Sequence, residues 1–587
     1  MRALRNACWA GTLLVGSLGA QSADGIPIDH VLTIQKCGGC HQVDKQHRMG
    51  RISYIRTTPE VWQEIIKRMM RLNGAVATPA EVRDIVRYLA NNNGLAPEEM
   101  VPAFWDVEHR LSGHQFDRVP DAAIQHTCNY CHTVGRVLAQ RRTRDDYEKL
   151  AGMHMGLFPG AEGVFRPRRT RGSSEEAPVQ LTAGPNGGNP ALAPAAPAAV
   201  ANGKDPIDTA LDYLANAQPL ITPEWTAWKA AMHQPKLAGT WAVSAYQVGK
   251  GKIYGLMTIS ATSAADEFQT KVELHYANTG ATLTRAGKGI VYTGYSWRGR
   301  QTAAAQPAAS ADPGNAPAEW REAMMVSRDK NSMEGRWFWG GYDEFGIDVA
   351  LQRVGKERLV LGTDLFALQS PSKKELKIYG ANLPTSIKPA DIDLGPGVVV
   401  KRIVHAAPTV VTAEVETTNG LLAGIRDVSV AGATAVKAIT IYDKIAYVKV
   451  APSRAMARLG GTIAPKQFMQ FETIAYANGP DDKPNTDDDL ALGPVEAAWS
   501  LEEFYSTTDD DDINYVGQIS DSGLFTPSAE GPNPARKKQA NNYPTNNWGD
   551  VWVNATYRDG ERTLKSRAYL VVTIPLYVRY DQPEVSK

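Results

Sequence analysis

The hydrophobic rhythm of the chain changes once, near residue 235. Before that point apolar residues recur at helical spacing. Val61, Trp62, Ile65, Ile66 and Met69 fall on one face of a 3.6-residue helix. Thr58-Pro59-Glu60 marks its start, with Thr58 as N-cap and Pro59 at the first helical position, and Gly74 ends it. A second helix is predicted from Thr78-Pro79 through Val82, Ile85, Val86 and Leu89 to Gly94. The same order then returns: a helix with Tyr147, Leu150 and Met153-His154-Met155, and later Ile207, Leu211, Tyr213 and Leu214. Tyr88-Leu89-Ala90-Asn91 and Tyr213-Leu214-Ala215-Asn216 are identical, which marks an internal duplication. Aligning Trp62 with Tyr147 places Met69 on His154 and Met70 on Met155.

Beyond residue 235 short alternating runs take over: Tyr254 to Ile259, Thr270 to Tyr276, Gly289 to Thr293, Trp337 to Gly340, Ile347 to Leu351. Turn residues separate them, as in antiparallel sheet. The pattern predicts a leader over 1–23, an all-α duplicated domain over 24–235 (units 24–100 and 101–235), a β-barrel-like domain over 236–365, and two immunoglobulin-like β-sandwiches over 366–464 and 465–587. The expected fold class is therefore multidomain, an N-terminal all-α domain followed by all-β domains. Residues 160–204 and the Ala/Pro-rich 302–317 lack either period and read as surface insertions.

Composition narrows the function. The chain has 587 residues, zero formal net charge and a pI near 7.2, which argues against a nucleic-acid binder or a polybasic membrane partner. Arg2 and Arg5, an apolar run from Ala7 to Leu18, and small residues at Gly19-Ala20 or Ala23 have the form of a secretory signal. The run is short for a membrane anchor, and no later stretch is long and apolar enough to span a bilayer. Of five cysteines, Cys8 lies in the leader and the other four fall in two short strings, so no disulfide is expected in the mature chain.

Those strings are Cys37-Gly38-Gly39-Cys40-His41 and Cys128-Asn129-Tyr130-Cys131-His132. C-x-x-C-H is the attachment pattern of a c-type haem: two thiols on one turn add to the vinyl groups, and the following histidine lies beneath the iron. Two copies in a chain with an export leader outweigh the rival readings, half zinc sites or redox C-x-x-C pairs. Cys37, Cys40, Cys128 and Cys131 are the attachment residues, and His41 and His132 the proximal iron ligands. The order haem string, loop, helix with a methionine, terminal helix is that of a small class I cytochrome c unit, so 24–235 reads as a dihaem cytochrome c domain. The sixth ligand of the first haem is sought in Met69 or Met70, with His47 nearby; Met69 is favoured because it shares the Trp62/Ile65/Ile66 face. By the duplication His154 is the candidate for the second haem, with Met153 and Met155 as alternatives. His109, His114 and His126 flank the second string and read as surface or structural residues. The acidic loop Asn478 to Asp489 has carboxylates that could hold calcium, but its spacing is not that of an EF-hand and a solvated turn is preferred, as for Asp509 to Asp512. No nucleotide fingerprint, P-loop, G-x-S-x-G or zinc-protease string is present, so no catalytic residue is assigned to this chain. Haem attachment after export makes the periplasm the expected compartment.

With these residues and this domain order, the chain resembles the α (large, dihaem) subunit of quinohaemoprotein amine dehydrogenase. The resemblance implies a heterotrimer: a β-propeller β subunit and a small γ subunit carrying a cysteine tryptophylquinone that oxidises a primary amine to an aldehyde and ammonia. It also implies two c-type haems that pass electrons to a copper protein or a soluble cytochrome c. Methionine raises and imidazole lowers a haem potential, so electrons are expected to run from the His132/His154 haem to the His41/Met69 haem. Rival functions are an electron-transfer subunit of another periplasmic dehydrogenase, a dihaem peroxidase, which needs one displaceable distal ligand, and a binding module built on the sandwiches.

Overall fold

The computed structural model describes residues 24–110, 119–129, 132–158, 160–165, 205–232, 234–303, 312–461, 463–505, 510–536 and 545–575. The leader, Cys131, His114 and most of the two insertions lie outside the described residues, as does the side chain of His126.

The helix bearing Met69 runs Pro59–Asn73. The Thr58 hydroxyl accepts from Val61 N–H at its start, and Gly74 closes it at φ 71°, a left-handed conformation suited to glycine. The next helix, Pro79–Asn92, opens with a capping box formed by Thr78 and Glu81. In the second unit the corresponding helices are Arg144–Leu157, capped by Thr143, and Pro206–Ala217. Each unit has its own apolar core. Trp62, Ile85, Val86 and Leu89 pack with Ile28, Met49, Ile52 and Ile55 in the first. Tyr147, Ala151, Ile207, Leu211 and Leu214 pack with Ile124, Val134 and Val137 in the second.

The expectation of an all-α N-terminal domain does not hold. Strand exceeds helix by 42% to 22% over the molecule, the helices are short, and a β ladder joins the two N-terminal units. Strand β1 (Ile55–Thr57) pairs antiparallel with β2 (Gln140–Arg142), with Ile55 opposite Arg142, Arg56 opposite Arg141 and Thr57 opposite Gln140. Periodicity could not reveal it. Three residues are too few to show an alternation, and the arginines are buried by ion pairing and backbone carbonyls rather than by apolar character.

The next eight strands close a barrel: β3 (Gly239–Gln247), β4 (Gly251–Ala261), β5 (Glu267–Tyr276), β6 (Thr282–Tyr292), β7 (Ser296–Ala303), β8 (Glu319–Val326), β9 (Ser332–Trp339) and β10 (Phe345–Arg353). Each pairs antiparallel with its neighbour, and β10 returns to β3, with Asp348 opposite Tyr246 through Arg353 opposite Trp241. Closure leaves no free sheet edge. Alternate residues such as Phe268, Thr270, Val272 and Leu274 point inward, where Trp241, Trp297, Trp320 and Trp337 fill the interior. Glu322 lies among them, accepting from Trp297 Nε1 at 2.8 Å, and burial pushes its carboxyl up to about 7. Two further sheet pairs follow. Over 359–442 two four-stranded sheets enclose Leu376, Ile378, Val411, Val415, Val428, Val430, Ile439 and Ile441. From Tyr447 on, three-stranded sheets accompany a four-stranded one built on Gly549–Asp559 and Arg562–Thr573.

The barrel also positions the first N-terminal unit. Ile290 and Tyr292 of β6 belong to that unit's core. Glu60, in the first turn of the Met69 helix, is buried against the Arg298 guanidinium of β7. Burial pushes the Glu60 carboxyl up, but Arg298 outweighs it and holds the group below its ordinary value. The pair fixes where the helix begins, and the helix in turn fixes where Met69 sits.

Candidate functional site

The two units repeat in detail. Arg56 and Arg141, Thr58 and Thr143, Trp62 and Tyr147, and Met69 and His154 each differ by 85 positions. The β1–β2 register is symmetric about Arg56 and Arg141, so a local two-fold relates the units. Polar contacts obey it too. Trp62 Nε1 donates to Asn93 O, and the Tyr147 hydroxyl donates to Gln218 O, both at 3.4 Å. Asn93 Nδ2 donates to Ile52 O and Ile55 O at 3.3 and 3.1 Å. With its amide nitrogen turned inward, Gln218 reaches the counterparts Val137 O and Gln140 O at 3.2 and 3.0 Å.

One carboxylate serves both halves of the ladder. Arg56 Nη1 and Nη2 donate to the two oxygens of Glu99, each at 2.7 Å, and Arg141 Nε lies 3.3 Å from Glu99 Oε1. Thr222 Oγ1 adds a donor at 2.8 Å. Burial pushes Glu99 up, and the arginines more than reverse this. Sequence reading missed Glu99, Arg56, Arg141, Asn93 and Gln218. The offset that aligns Trp62 with Tyr147 also aligns the two arginines, and that signal could have found them.

In the second unit the structure brings the two candidate imidazoles together. The rings of His132 and His154 are 6.5 Å apart between centroids, inclined at 46°. His132 Nδ1 is 2.9 Å from Thr133 O and His154 Nδ1 is 2.8 Å from Leu150 O, so each Nδ1–H has a carbonyl to donate to and Nε2 is left for a metal. Two metal–imidazole bonds of about 2 Å laid end to end, plus the distance of roughly 1.1 Å from each nitrogen to its ring centre, predict a separation of about 6.2 Å. The pair therefore fits an iron held between two imidazoles. Burial pushes His132 down to about 4 and lowers His154 as well, which keeps both rings in the neutral ligand form. Thr133 extends the support: its hydroxyl donates to the half-buried Asp106 carboxylate at 2.6 Å. Arg136, Arg142 and Arg68 place positive charge near His154, which suits a macrocycle carrying two propionates. Met155 packs into the unit's apolar core, while Met153 is half-buried. Cys128 is partly buried beside Thr127 Oγ1 (3.4 Å).

In the first unit Cys37 is partly buried, and Cys40 is exposed one turn on. The His41 Nδ1 lies 2.7 Å from Gly50 O, an anchoring of the same kind as in the second unit. The Met69 sulfur, on the half-buried face of its helix, meets the Asn73 amide at 3.7 Å; Met70 is also half-buried. His47 is held elsewhere, at 2.6 Å from Asp29 Oδ1 in an exposed turn at φ 57°. His109 stacks on Phe338 and pairs with Asp343 at 2.7 Å, so it ties the second unit to the barrel. In the acidic loop the carboxylates are taken up locally, Asp488 by the Thr486 hydroxyl at 2.8 Å and Asp489 by the Tyr447 hydroxyl at 2.5 Å.

Four family profiles match the chain, all from one subunit of one enzyme. Residues 28–171 match the quinohemoprotein amine dehydrogenase A alpha subunit haem-binding domain. Residues 234–354, 366–443 and 448–585 match alpha subunit domains II, III and IV of quinohemoprotein amine dehydrogenase. The chain belongs to the quinohemoprotein amine dehydrogenase alpha subunit family. As a member of that family it is an oxidoreductase subunit with a haem-binding domain, one part of a multi-subunit amine dehydrogenase. Among the described residues no helix is long and apolar enough to cross a membrane.

A search of curated proteins found no match. Solved structures gave partial likenesses. A structure of EF1p2_mFAP2b bound to DFHBI is 16% identical over 20% of this chain and 94% of its own, with a TM-score of 0.16. A redesigned beta barrel is 17% identical over 20% and 92%, also at 0.16. The tryptamine complex of the amine binding protein of Rhodnius prolixus is 6% identical over 21% and 65%, at 0.15. With scores this low, none of them bears on architecture or function.

Proposed function

We propose that this alpha subunit carries two c-type haems and is the periplasmic electron relay of its amine dehydrogenase. Cys37 and Cys40 hold one haem, with His41 and Met69 as axial ligands. Cys128 and Cys131 hold the other, with His132 and His154. The reading is carried by the neighbouring, carbonyl-anchored pair His132 and His154, inside the segment that matches a haem-binding profile. Haem at these positions supplies reversible one-electron chemistry. The chain supplies the ligands, their orientation and a buried, arginine-rich surround for the second site. In this proposal the electrons come from a cysteine tryptophylquinone on a small γ subunit, next to a β-propeller β subunit, and leave to a copper protein or soluble cytochrome c. The export-type leader and the post-export chemistry of C-x-x-C-H support the periplasm. Visible spectra of the natively purified complex, taken before and after adding a simple primary amine, test it. Reduction of the haem bands is expected. Bands that stay oxidised with amine yet reduce with dithionite would assign the haems to a different donor.

A further inference from the structure

Far from the haem units in sequence, the C-terminal part of the molecule gathers carboxylates at one place. Glu503 ends the strand Ala498–Glu503, and Asp510 and Asp512 follow shortly after it. One carboxylate oxygen from each lies within 4.8 Å of the other two. Asp550, on the adjoining strand Gly549–Asp559, completes the surround. Its N–H donates to Asp512 Oδ2 at 2.8 Å, and its own carboxylate accepts from the Tyr569 hydroxyl at 2.8 Å. Gly549 allows the approach, since a Cβ there would meet the Asp512 carboxylate at 2.1 Å.

Acidic clusters are common on protein surfaces and are usually just solvated. This one is different in two ways. First, two of its three carboxylates are enclosed: Glu503 is 7% exposed and Asp512 4%, while Asp510 is half-buried. Second, Glu503 gives one oxygen, Oε2, to the Ile513 N–H at 3.0 Å, while Oε1 is buried with no hydrogen-bond partner among the described residues. A buried carboxylate oxygen facing other carboxylates, with no donor of its own, is costly unless a cation answers it. Among the described residues Arg536 pairs with Asp512 and lies 3.3 Å from Asp511. No ion pair among the described residues answers Glu503. Burial raises Glu503, Asp512 and Asp550 above their ordinary values, and in each case a neighbouring carboxylate pushes the same way.

We propose that Glu503, Asp510 and Asp512 form a binding site for one divalent cation, calcium by preference, which fixes the approach of residues 510–512 to the strand ending at Glu503. The donors are all carboxylate oxygens, with no nitrogen or sulfur, which selects a hard cation. Calcium accepts six to eight oxygens in irregular geometry at about 2.3–2.6 Å, whereas magnesium demands a near-regular octahedron. The acidic loop at 481–489 lacks the decisive feature, because its carboxylates already have hydroxyl and N–H donors.

The test uses the haem-loaded full chain, stripped with EDTA and titrated with calcium chloride by calorimetry, with the unfolding temperature followed in parallel. A single calcium is expected to bind per chain and raise the unfolding temperature by a few degrees. Glu503→Gln and Asp510→Asn should each weaken binding about tenfold or more and remove that rise, while Asp488→Asn changes neither. In EDTA, Glu503→Gln should be at least as stable as the parent, because the uncompensated charge is gone; its loss of calcium is then not a failure to fold. No calcium binding by the parent chain, or binding that survives Glu503→Gln and Asp510→Asn, overturns the assignment.

Discussion

The two N-terminal units share one scaffold and differ in what they place at one position of it. Thr58 and Thr143 cap equivalent helices, and Asn93 and Gln218 bind equivalent carbonyls. Seven residues after their equivalent aromatics, Trp62 and Tyr147, the first unit presents Met69 and the second His154. The supports diverge with the ligands. His132 rests on its own neighbour, Thr133, which in turn binds Asp106, whereas His41 reaches across a loop to Gly50. A duplicated backbone thus keeps its packing and caps, which fix the shape, and varies the proposed ligand and its surround, which would set the chemistry.

The sharpest break in the comparison is the loss of the second unit's distal imidazole. His154→Ala should leave one haem five-coordinate or high-spin and the other unchanged. Low-spin spectra for both haems would rule His154 out as a ligand. Next comes the feature the units share. Glu99→Gln leaves Arg56 and Arg141 buried without their counter-charge and should cost about 3–5 kcal/mol, read as a large fall in unfolding temperature. Replacing Arg56 and Glu99 together by apolar residues should recover much of that loss. A third change would make the units alike: Met69→His should lower the first haem's potential by on the order of 100 mV and narrow the gap between the two. In the parent chain the first haem should titrate at the higher potential, and the reverse order would overturn the proposed direction of electron flow. The mildest test concerns the two-fold itself. Asn93→Ala and Gln218→Ala should each cost about 1–3 kcal/mol by leaving carbonyls unpaired. If the units are equivalent in packing, thermal unfolding should show losses of similar size. A loss confined to one variant would show that only one unit depends on this bond.

Much of the family assignment was legible along the chain because covalent haem chemistry demands cysteines and a histidine at fixed spacing. Helix limits at Thr58, Gly74 and Thr78 were legible too, because capping depends on a few neighbouring residues. The all-α expectation failed at Ile55–Thr57 and Gln140–Arg142, where no local pattern marks a strand. The acidic run at Asp509 to Asp512 looked like an ordinary solvated turn. Only the fold brings Glu503 beside Asp510 and Asp512, sets Asp550 against Asp512, and buries Glu503 and Asp512.

By itself, then, the amino-acid sequence determined what neighbours along the chain can decide: the C-x-x-C-H strings, helix caps, the change from helical to alternating period, and the duplication. Tertiary structure alone decided which charges are buried and which partner each of them meets. Arg56 and Arg141 find Glu99, Glu60 finds Arg298, and His132 faces His154. These pairings join residues distant in the chain, and their stability depends on burial and on the geometry of partners that no local pattern records.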